Sequence, residues 1–354
     1  MRTTSKPDNL MASPYLYPFV VNWWADRVQL IQVSTDFYTQ AAFLDQRAFA
    51  AGTPQHHWAP ISELREQVAN APARPLGLIF HIGHCGSTLI SRMLGLASEQ
   101  FFSVREPLPL RDLAGMWPER DTYWSPRSAD TLQQDMDMFH GLWARTPGLD
   151  QLAIVKATSF CSLLAEDWLQ RFQNDRAVML AMAPEIYLAT VLGAESYVLD
   201  LLGAAKQRLC SLHRITGADL PALHSLSSGE LAAACYLAEM VNMEQAAKAA
   251  MGRILRVDFD SYLKDRPAKL AAVAQHFGRP ITDDMLERIL ANPVSSRYSK
   301  ATEYGFSAQE RRDRLQQSRT KNGGEINKGL SFLTTFAKTH GAAKDALINF
   351  GYAK

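Results

Sequence analysis

A continuous apolar run over Leu76–Gly83 is the clearest feature of the hydrophobic pattern, and a helical pattern follows it directly over Ser87–Ala97. Runs of this kind predict a strand that is buried on both faces of a parallel sheet. Four later stretches are also predicted to be strands: Phe101–Glu106, Leu152–Ala157, Ala177–Met182 and Ile254–Phe259. Helical stretches separate most of them, and this alternation predicts an α/β fold with a central, doubly wound parallel sheet.

The first part of the chain lies outside this alternation. Residues 1–72 form this part, and residues 10–70 are rich in aromatic side chains, with a strand predicted at Arg27–Thr35 and a short helix over Thr35–Gly52. We expect these residues to form a small N-terminal extension that packs on the main domain, residues 73–354.

Two later regions are predicted to be mainly helical. Residues 191–250 indicate a helical insertion into the α/β domain, and Ser228 is the expected N-cap of its last, long helix. The segment Ser307–Lys328 is polar and strongly basic, which predicts a solvated helix that runs into a loop.

Composition narrows the class of protein. The chain has 354 residues, of which 47% are hydrophobic, and 37 basic residues nearly balance 36 acidic ones. This balance gives no electrostatic case for binding nucleic acid. The four cysteines form no CxxC pair and no zinc spacing, as expected of reduced thiols. Because we find no signal-peptide core and no apolar run of membrane length, we expect a cytoplasmic protein without a membrane partner.

The loop between the first buried strand and its helix carries the candidate chemistry. Gly83 and Gly86 let the backbone turn and bring its N–H groups to a ligand. The first free N–H groups of the helix and its positive end face the same point. Together these features predict a phosphate cradle at a helix N-terminus. Its expected members are Gly83, His84, Cys85, Gly86, Ser87 and Thr88.

The loop is not a Walker A motif, because the chain has no GxxxxGK[ST] sequence and the loop has no lysine. A P-loop kinase that uses ATP and Mg²⁺ is therefore disfavoured. A glycine turn that joins strand to helix without any ligand is the structural alternative.

Over the segment His84–Thr88 the sequence resembles the phosphosulfate loop of the PAPS-dependent sulfotransferases, where PAPS is 3′-phosphoadenosine-5′-phosphosulfate. Val104–Leu113 is similar to the Glu-Pro segment of many bacterial members, and Val155–Phe160 to a strand-end Lys segment. Leu255–Gly278 resembles the late strand, acidic turn and helix of the family. The resemblance spans roughly residues 74–305 and implies a three-layer P-loop fold, PAPS as donor with PAP as product, and no metal.

The chain departs from the family at two places. Lys or Arg is usual where His84 stands. The family's Arg-Asp-Pro motif, which holds the 3′-phosphate of the donor, corresponds here to Ala181–Glu185, which lacks the arginine, with Thr190 near the serine slot. Since a phosphate cannot be bound dry without a cation or several donors, we expect Arg297 and Lys300 to replace the arginine.

Three residues are candidates for catalysis. Glu106 follows a strand at the carboxyl edge of the sheet, where α/β sites form, and is the candidate general base. Lys156 ends another strand at this edge, and the resemblance implies that it steadies the leaving phosphate or the sulfuryl oxygens. His84 is expected to donate to the sulfuryl group in place of the usual cation. The alternatives are a capping glutamate, an exposed strand-end lysine and a histidine that only shapes the turn.

The favoured function is sulfuryl transfer from PAPS to a hydroxyl or amine of a small-molecule or peptide acceptor. A nucleotide-binding protein of the same fold without transfer activity is the second interpretation, and an ATP-dependent P-loop kinase is the third. The acceptor itself cannot be derived from the sequence, because acceptor walls come from variable helices and loops. Association into a homo-oligomer is left open.

Overall fold

Strands and helices alternate along the chain in the computed structural model, which describes residues 10–49, 52, 54–295 and 308–353. The strands are β1 Leu16–Asn22, β2 Arg27–Gln32, β3 His56–Pro60, β4 Leu76–His81, β5 Phe101–Arg105, β6 Leu152–Lys156, β7 Arg176–Ala181 and β8 Ile254–Asp258. The helices are α1 Thr35–Gln40, α2 Ile61–Ala69, α3 Ser87–Leu96, α4 Leu108–Met116, α5 Ala129–Trp143, α6 Ala165–Arg171, α7 Pro184–Leu192, α8 Glu195–Leu202, α9 Ala205–Thr216, α10 Ser228–Ala249, α11 Phe259–Lys264, α12 Arg266–His276, α13 Asp283–Ala291, α14 Ala308–Thr339 and α15 Gly341–Asn349. None of these described helices has the length and apolar character that crossing a membrane requires.

The central sheet has five parallel strands in the order β5-β6-β4-β7-β8. Every residue of β4, β5 and β6 is buried, and so are all residues of β7 except the first. Because neighbouring side chains in a strand point to opposite faces, the sheet is covered on both faces. The predicted α/β fold with a central parallel sheet is confirmed, and all five strands of the sheet lie where their apolar runs predicted them.

The N-terminal residues form a second, antiparallel sheet in the order β1-β2-β3. Its apolar side joins the core of the α/β part, and the buried guanidinium of Arg145 ties the two together by donating to the carbonyls of Leu10, Ser13 and Leu16. The helix predicted over Thr35–Gly52 is too long: α1 ends at Gln40, and only a short 3₁₀ turn, Gln46–Phe49, follows it.

Helices α8 to α10 fill most of the predicted helical region. The N-cap of α10 is Ser227, one residue before the predicted Ser228, because Ser227 forms a reciprocal capping box with Glu230. Most of α10 is buried, and it packs against α6, α7, α9 and α14. It therefore forms the buried centre of the helical part of the molecule.

The helix predicted over Ser307–Lys328 is present and mostly exposed, but the loop predicted at its end is wrong. Helix α14 runs on to Thr339, is kinked at Asn322 and packs against both α7 and α10. The contact with α10 is close because glycine faces the partner backbone: a Cβ on Gly229 would overlap the carbonyl of Glu325. The Glu325 carboxylate also accepts the N–H of Gly229 at 2.8 Å. Contact through glycine leaves no hydrophobic pattern in the sequence.

Candidate functional site

The loop from β4 to α3 turns sharply beneath the carboxyl edge of the sheet. Its backbone φ angle is positive at Gly83 (85°), His84 (50°) and Gly86 (76°), and Gly86 is the N-cap of α3. A positive φ is easy for glycine but strained for histidine, and such strain is typically held at functional sites. The free N–H groups at the start of α3 are a ready anion site.

His81 holds this turn in place from the end of β4. Its Nδ1 accepts the N–H of Gly83 at 2.9 Å, so the neutral ring carries its proton on Nε2, which donates to the carbonyl of Ala157 at 2.9 Å. The N–H of Gly83 is thus used inside the loop. Gly83 does not line a cavity, whereas the other predicted cradle residues, from His84 to Thr88, do.

That cavity, here called the loop cavity, has a volume of about 450 Å³ and opens over the start of α3. The loop side is formed by His84, Cys85, Gly86, Ser87 and Thr88, and Lys156 and Thr190 also line the wall. The opposite side is formed by α14, through Arg311, Arg314, Ser318, Lys321 and Asn322. The volume is within the range of pockets that bind small molecules and cofactors.

The hydroxyl of Thr88 marks the loop cavity as a place for a polar ligand. The side chain is buried, with 2% of its surface exposed, and its Oγ1 has no hydrogen-bond partner among the described residues. A buried hydroxyl without a partner costs about 1–3 kcal/mol. A ligand oxygen at the helix N-terminus would remove that cost.

Glu106 and Lys156 meet at the carboxyl ends of β5 and β6. They form a buried salt bridge from Nζ to Oε1, and the hydroxyl of Thr158 donates to Oε2 of Glu106 at 3.4 Å. Lys156 is 1% exposed and lines the loop cavity, and Glu106 balances its charge. Glu106 has a positive φ of 52°, the second strained non-glycine residue of the site.

Arg105, the neighbour of Glu106, takes no part in the cavity. Its guanidinium donates to the backbone carbonyls of Tyr38 and Ala41 in the N-terminal extension. Burial lowers its pKa to about 9. The side chain therefore links the extension to β5 by hydrogen bonds.

His84 is held by two side chains of α8. Its ring stacks on Tyr197 with 3.9 Å between the ring centroids, and its Nε2 lies 3.6 Å from Oδ2 of Asp200. Sequence reasoning missed both partners, because their contact with the loop depends on how the helical insertion folds back over the sheet. The side chain is thereby fixed at the mouth of the loop cavity.

The cationic face of α14, defined as Arg311, Arg314 and Lys321, was also missed. These residues recur at helical spacing on the side that lines the loop cavity. Arg311 donates from Nη1 to Asp260 at 2.7 Å, but its Nη2 has no hydrogen-bond partner among the described residues. Arg314 and Lys321 form no salt bridge with any residue that the structure describes.

The predicted 3′-phosphate site lies only partly within the described residues. Arg297 and Lys300 lie outside the described residues. Thr190 lines the loop cavity, although its hydroxyl donates to the carbonyl of Ile186 at 2.7 Å. At the start of α7, Glu185 accepts two hydrogen bonds from Arg319 of α14, at 2.7 and 2.8 Å. The Arg319 hydrogen bond holds the pKa of Glu185 below its usual value.

Fold and site together define an α/β protein whose glycine-containing loop lies beneath a cavity with a cationic opposite wall. No protein-family model matches the chain, and no curated protein matches it. Solved structures that are similar to it include a sulfotransferase domain from the curacin biosynthetic pathway (12% identity, 80% of this chain and 99% of that one, TM-score 0.46). Also similar is a sulfotransferase from Mycobacterium avium (13% identity, 72% of this chain and 79% of that one, TM-score 0.38). Retinol dehydratase in complex with androsterone and PAP is similar as well (12% identity, 78% of this chain and 87% of that one, TM-score 0.33). The fold assignment rests on the strand order and the loop.

Proposed function

We propose that this chain is a sulfotransferase, which moves a sulfuryl group from PAPS to a hydroxyl or amine of a small-molecule or peptide acceptor. The observation that carries the proposal is the two-sided loop cavity, with a helix N-terminus on one side and the cationic face of α14 on the other. PAPS has anionic groups at two separate positions, the phosphosulfate and the 3′-phosphate. A cavity with one anion site on each side suits such a donor.

The loop would hold the phosphosulfate of the donor. The N–H groups at the start of α3 and the hydroxyls of Ser87 and Thr88 supply neutral donors, which leaves a need for positive charge. Lys156 meets that need because it lines the same cavity. His84 lines the same cavity and is expected to donate to a sulfuryl oxygen.

Transfer would proceed by in-line attack of the acceptor oxygen or nitrogen on sulfur. The new bond to sulfur forms as the bond from sulfur to the bridging phosphate oxygen breaks, and PAP leaves with that electron pair. The carboxylate of Glu106 accepts the proton of the acceptor. Lys156, now shared between Glu106 and the leaving oxygen, stabilises the charge that develops there.

Two other functions would give different patterns of ligand binding. A nucleotide-binding protein without transfer activity would bind PAP but would not consume PAPS. An ATP-dependent kinase would bind ATP with Mg²⁺ in preference to PAP, and the absence of lysine from the loop argues against it.

The test compares Glu106→Gln with the wild type by calorimetry with PAP and by release of PAP from PAPS in the presence of acceptor. We expect the variant to bind PAP normally and to lose about 10²–10⁴-fold in turnover. Glu99→Gln is the matched control, because the side chain of Glu99 is 70% exposed and pairs with Arg288 instead of with Lys156. A wild type that binds ATP with Mg²⁺ but not PAP contradicts the proposal, and full activity of Glu106→Gln removes Glu106 as the base.

A further inference from the structure

A second cavity, of about 850 Å³, lies on the other side of the Glu106–Lys156 pair. We call it the tryptophan cleft, defined by Trp23, Trp24, Leu108, Arg111, Phe160 and Leu199. Its walls come from the turn between β1 and β2, from α4, from the segment after β6 and from α8. The N-terminal extension and the helical insertion, which have no part in the central sheet, thus supply much of its surface.

Two contacts link residues of the tryptophan cleft to the proposed catalytic residues. Thr158 lines the cleft and donates to Glu106, whose partner Lys156 lines the loop cavity. Asp200 also lines the cleft, and it approaches His84 of the loop cavity at 3.6 Å. Glu106 itself lines neither cavity, but its partner Lys156 lines the loop cavity and its partner Thr158 lines the tryptophan cleft. Glu106 and His84 therefore connect the two cavities through these contacts. A molecule in the tryptophan cleft would face a donor in the loop cavity across these residues.

The walls of the tryptophan cleft favour an aromatic molecule. Trp24 is 95% exposed and Leu199 is 59% exposed, although large apolar side chains are normally buried. Both line this one cleft, together with Trp23 and Phe160. Trp23 is fixed there by a hydrogen bond from its Nε1 to Asp112 at 3.2 Å. Exposed aromatic and apolar side chains that converge on one cavity indicate a binding site for a flat apolar body.

One cation of the tryptophan cleft is available to a ligand. Arg208 is already committed, because it pairs with Glu239 at 2.6 Å and donates to Ser159 at 2.8 Å. Arg111 forms no salt bridge with any described residue, and its guanidinium lies 6.0 Å from the ring centroid of Phe160. The two acidic groups of the wall, Asp112 and Asp200, face Trp23 and His84 respectively. Arg111 can therefore form a charge-assisted hydrogen bond with an anionic ligand.

We propose that the tryptophan cleft binds the acceptor and that this acceptor is a hydroxylated aromatic compound that carries an anionic group, such as a carboxylate. The inference rests on the proposed sulfotransferase function. The phenol oxygen forms the new bond to sulfur, its proton passes to Glu106, and the bond from sulfur to the phosphate oxygen breaks to release PAP. The product is an aryl sulfate.

The experiment measures PAP release from PAPS with three probe acceptors: 6-hydroxy-2-naphthoate, 2-naphthol and 1-hexanol. We expect the highest kcat/KM for the hydroxynaphthoate and the lowest for hexanol. Arg111→Ala should lower kcat/KM for the hydroxynaphthoate by about 10–100-fold, the loss of one charge-assisted hydrogen bond, and leave 2-naphthol nearly unchanged. Trp24→Ala should raise KM for both naphthols and leave the Kd for PAP unchanged.

Matched controls are Arg288→Ala, whose side chain is 68% exposed, and Trp58→Ala, whose residue is 38% exposed; neither lines the cleft. Binding of the hydroxynaphthoate to the PAP-loaded enzyme is measured in parallel by calorimetry. Failure of both naphthols to bind or react, or equal loss with both in Arg111→Ala, overturns the acceptor inference while PAP binding still supports the function. Absence of PAP binding overturns the function itself.

Discussion

Removal of charge from α14 tests how the loop cavity holds a donor. The perturbation is the double substitution Arg314→Ala and Lys321→Ala, which takes two cations from the cavity wall and breaks no salt bridge of the described residues. Arg311 is left in place because its loss would also strip Asp260 of a partner at 2.7 Å. The fold should therefore survive, and thermal unfolding of the variant checks that it does.

The expected loss of affinity for PAP follows from the solvent exposure of Arg314 and Lys321. Both side chains are exposed at the surface of the cavity, so each contact with a phosphate is screened and is worth about 1 kcal/mol or less, as for surface ion pairs. The double variant should then bind PAP more weakly by up to about 30-fold, because every 1.4 kcal/mol is about tenfold in affinity. Binding of 5′-AMP, which lacks the 3′-phosphate, should change far less.

The assay is calorimetric titration of PAP and 5′-AMP at about 0.05 M and about 0.5 M salt. The preference of the wild type for PAP should fall at the higher salt concentration, since screening weakens exposed charge pairs. Arg312→Ala is the matched control, because Arg312 is on the same helix but does not line the loop cavity. An unchanged preference for PAP in the double variant refutes the role of α14. If Arg297→Ala abolishes the preference instead, the prediction for Arg297 stands in its place.

Three further outcomes follow from local geometry. Thr88→Val should weaken PAP binding about 5–10-fold in calorimetry without lowering Tm, because it removes a buried hydroxyl that has no partner among the described residues; a lower Tm with intact binding contradicts this. Glu185→Gln should cost about 1 kcal/mol or less of unfolding free energy at about pH 7 in urea titrations. Since Arg319 lowers the pKa of Glu185, that stabilisation is present above the usual value of 4.5 and is lost as pH falls through the lowered pKa, so wild type and variant should converge at a pH below 4.5. Gly86→Ala should destabilise the fold by about 1–3 kcal/mol more than Gly217→Ala, because both glycines have positive φ but only at Gly86 would a Cβ overlap Phe259; equal unfolding free energies for the two variants would disprove the overlap.

The central sheet and the loop could be predicted because their signals are local. Each buried strand is an unbroken apolar run, and the order of Gly86, Ser87 and Thr88 after such a run specifies a turn into a helix. The carboxyl ends of parallel strands share one edge, so Glu106 and Lys156 could be placed near each other without knowledge of the strand order. The strand register pairs Arg105 of β5 with Lys156 of β6.

The remaining parts of the site depend on contacts between segments that are distant in sequence. Tyr197 and Asp200 reach His84 only because α8 folds back over the loop. The packing of α14 against its neighbours could not be predicted because its contacts use Ser318, Asn322 and Gly329 as well as apolar side chains. Small and polar residues pack closely against neighbouring backbone but give no amphipathic pattern that a sequence analysis detects.

The position of α14 also bears on the arginine that the chain lacks at the end of β7. Electrostatic attraction depends on where a charge lies in space, so a cation from any element that closes over the cavity serves equally well. Met182, which stands where the resembled family has its arginine, is buried and offers no charge. Glu185, three residues further on, instead binds Arg319 of α14 through two hydrogen bonds. This pair anchors the helix beside α7, and the same helix presents Arg314 and Lys321 to the loop cavity. In the proposed function, the segment that would bind the 3′-phosphate directly in the resembled family therefore acts here as the anchor for a helix that supplies the charge.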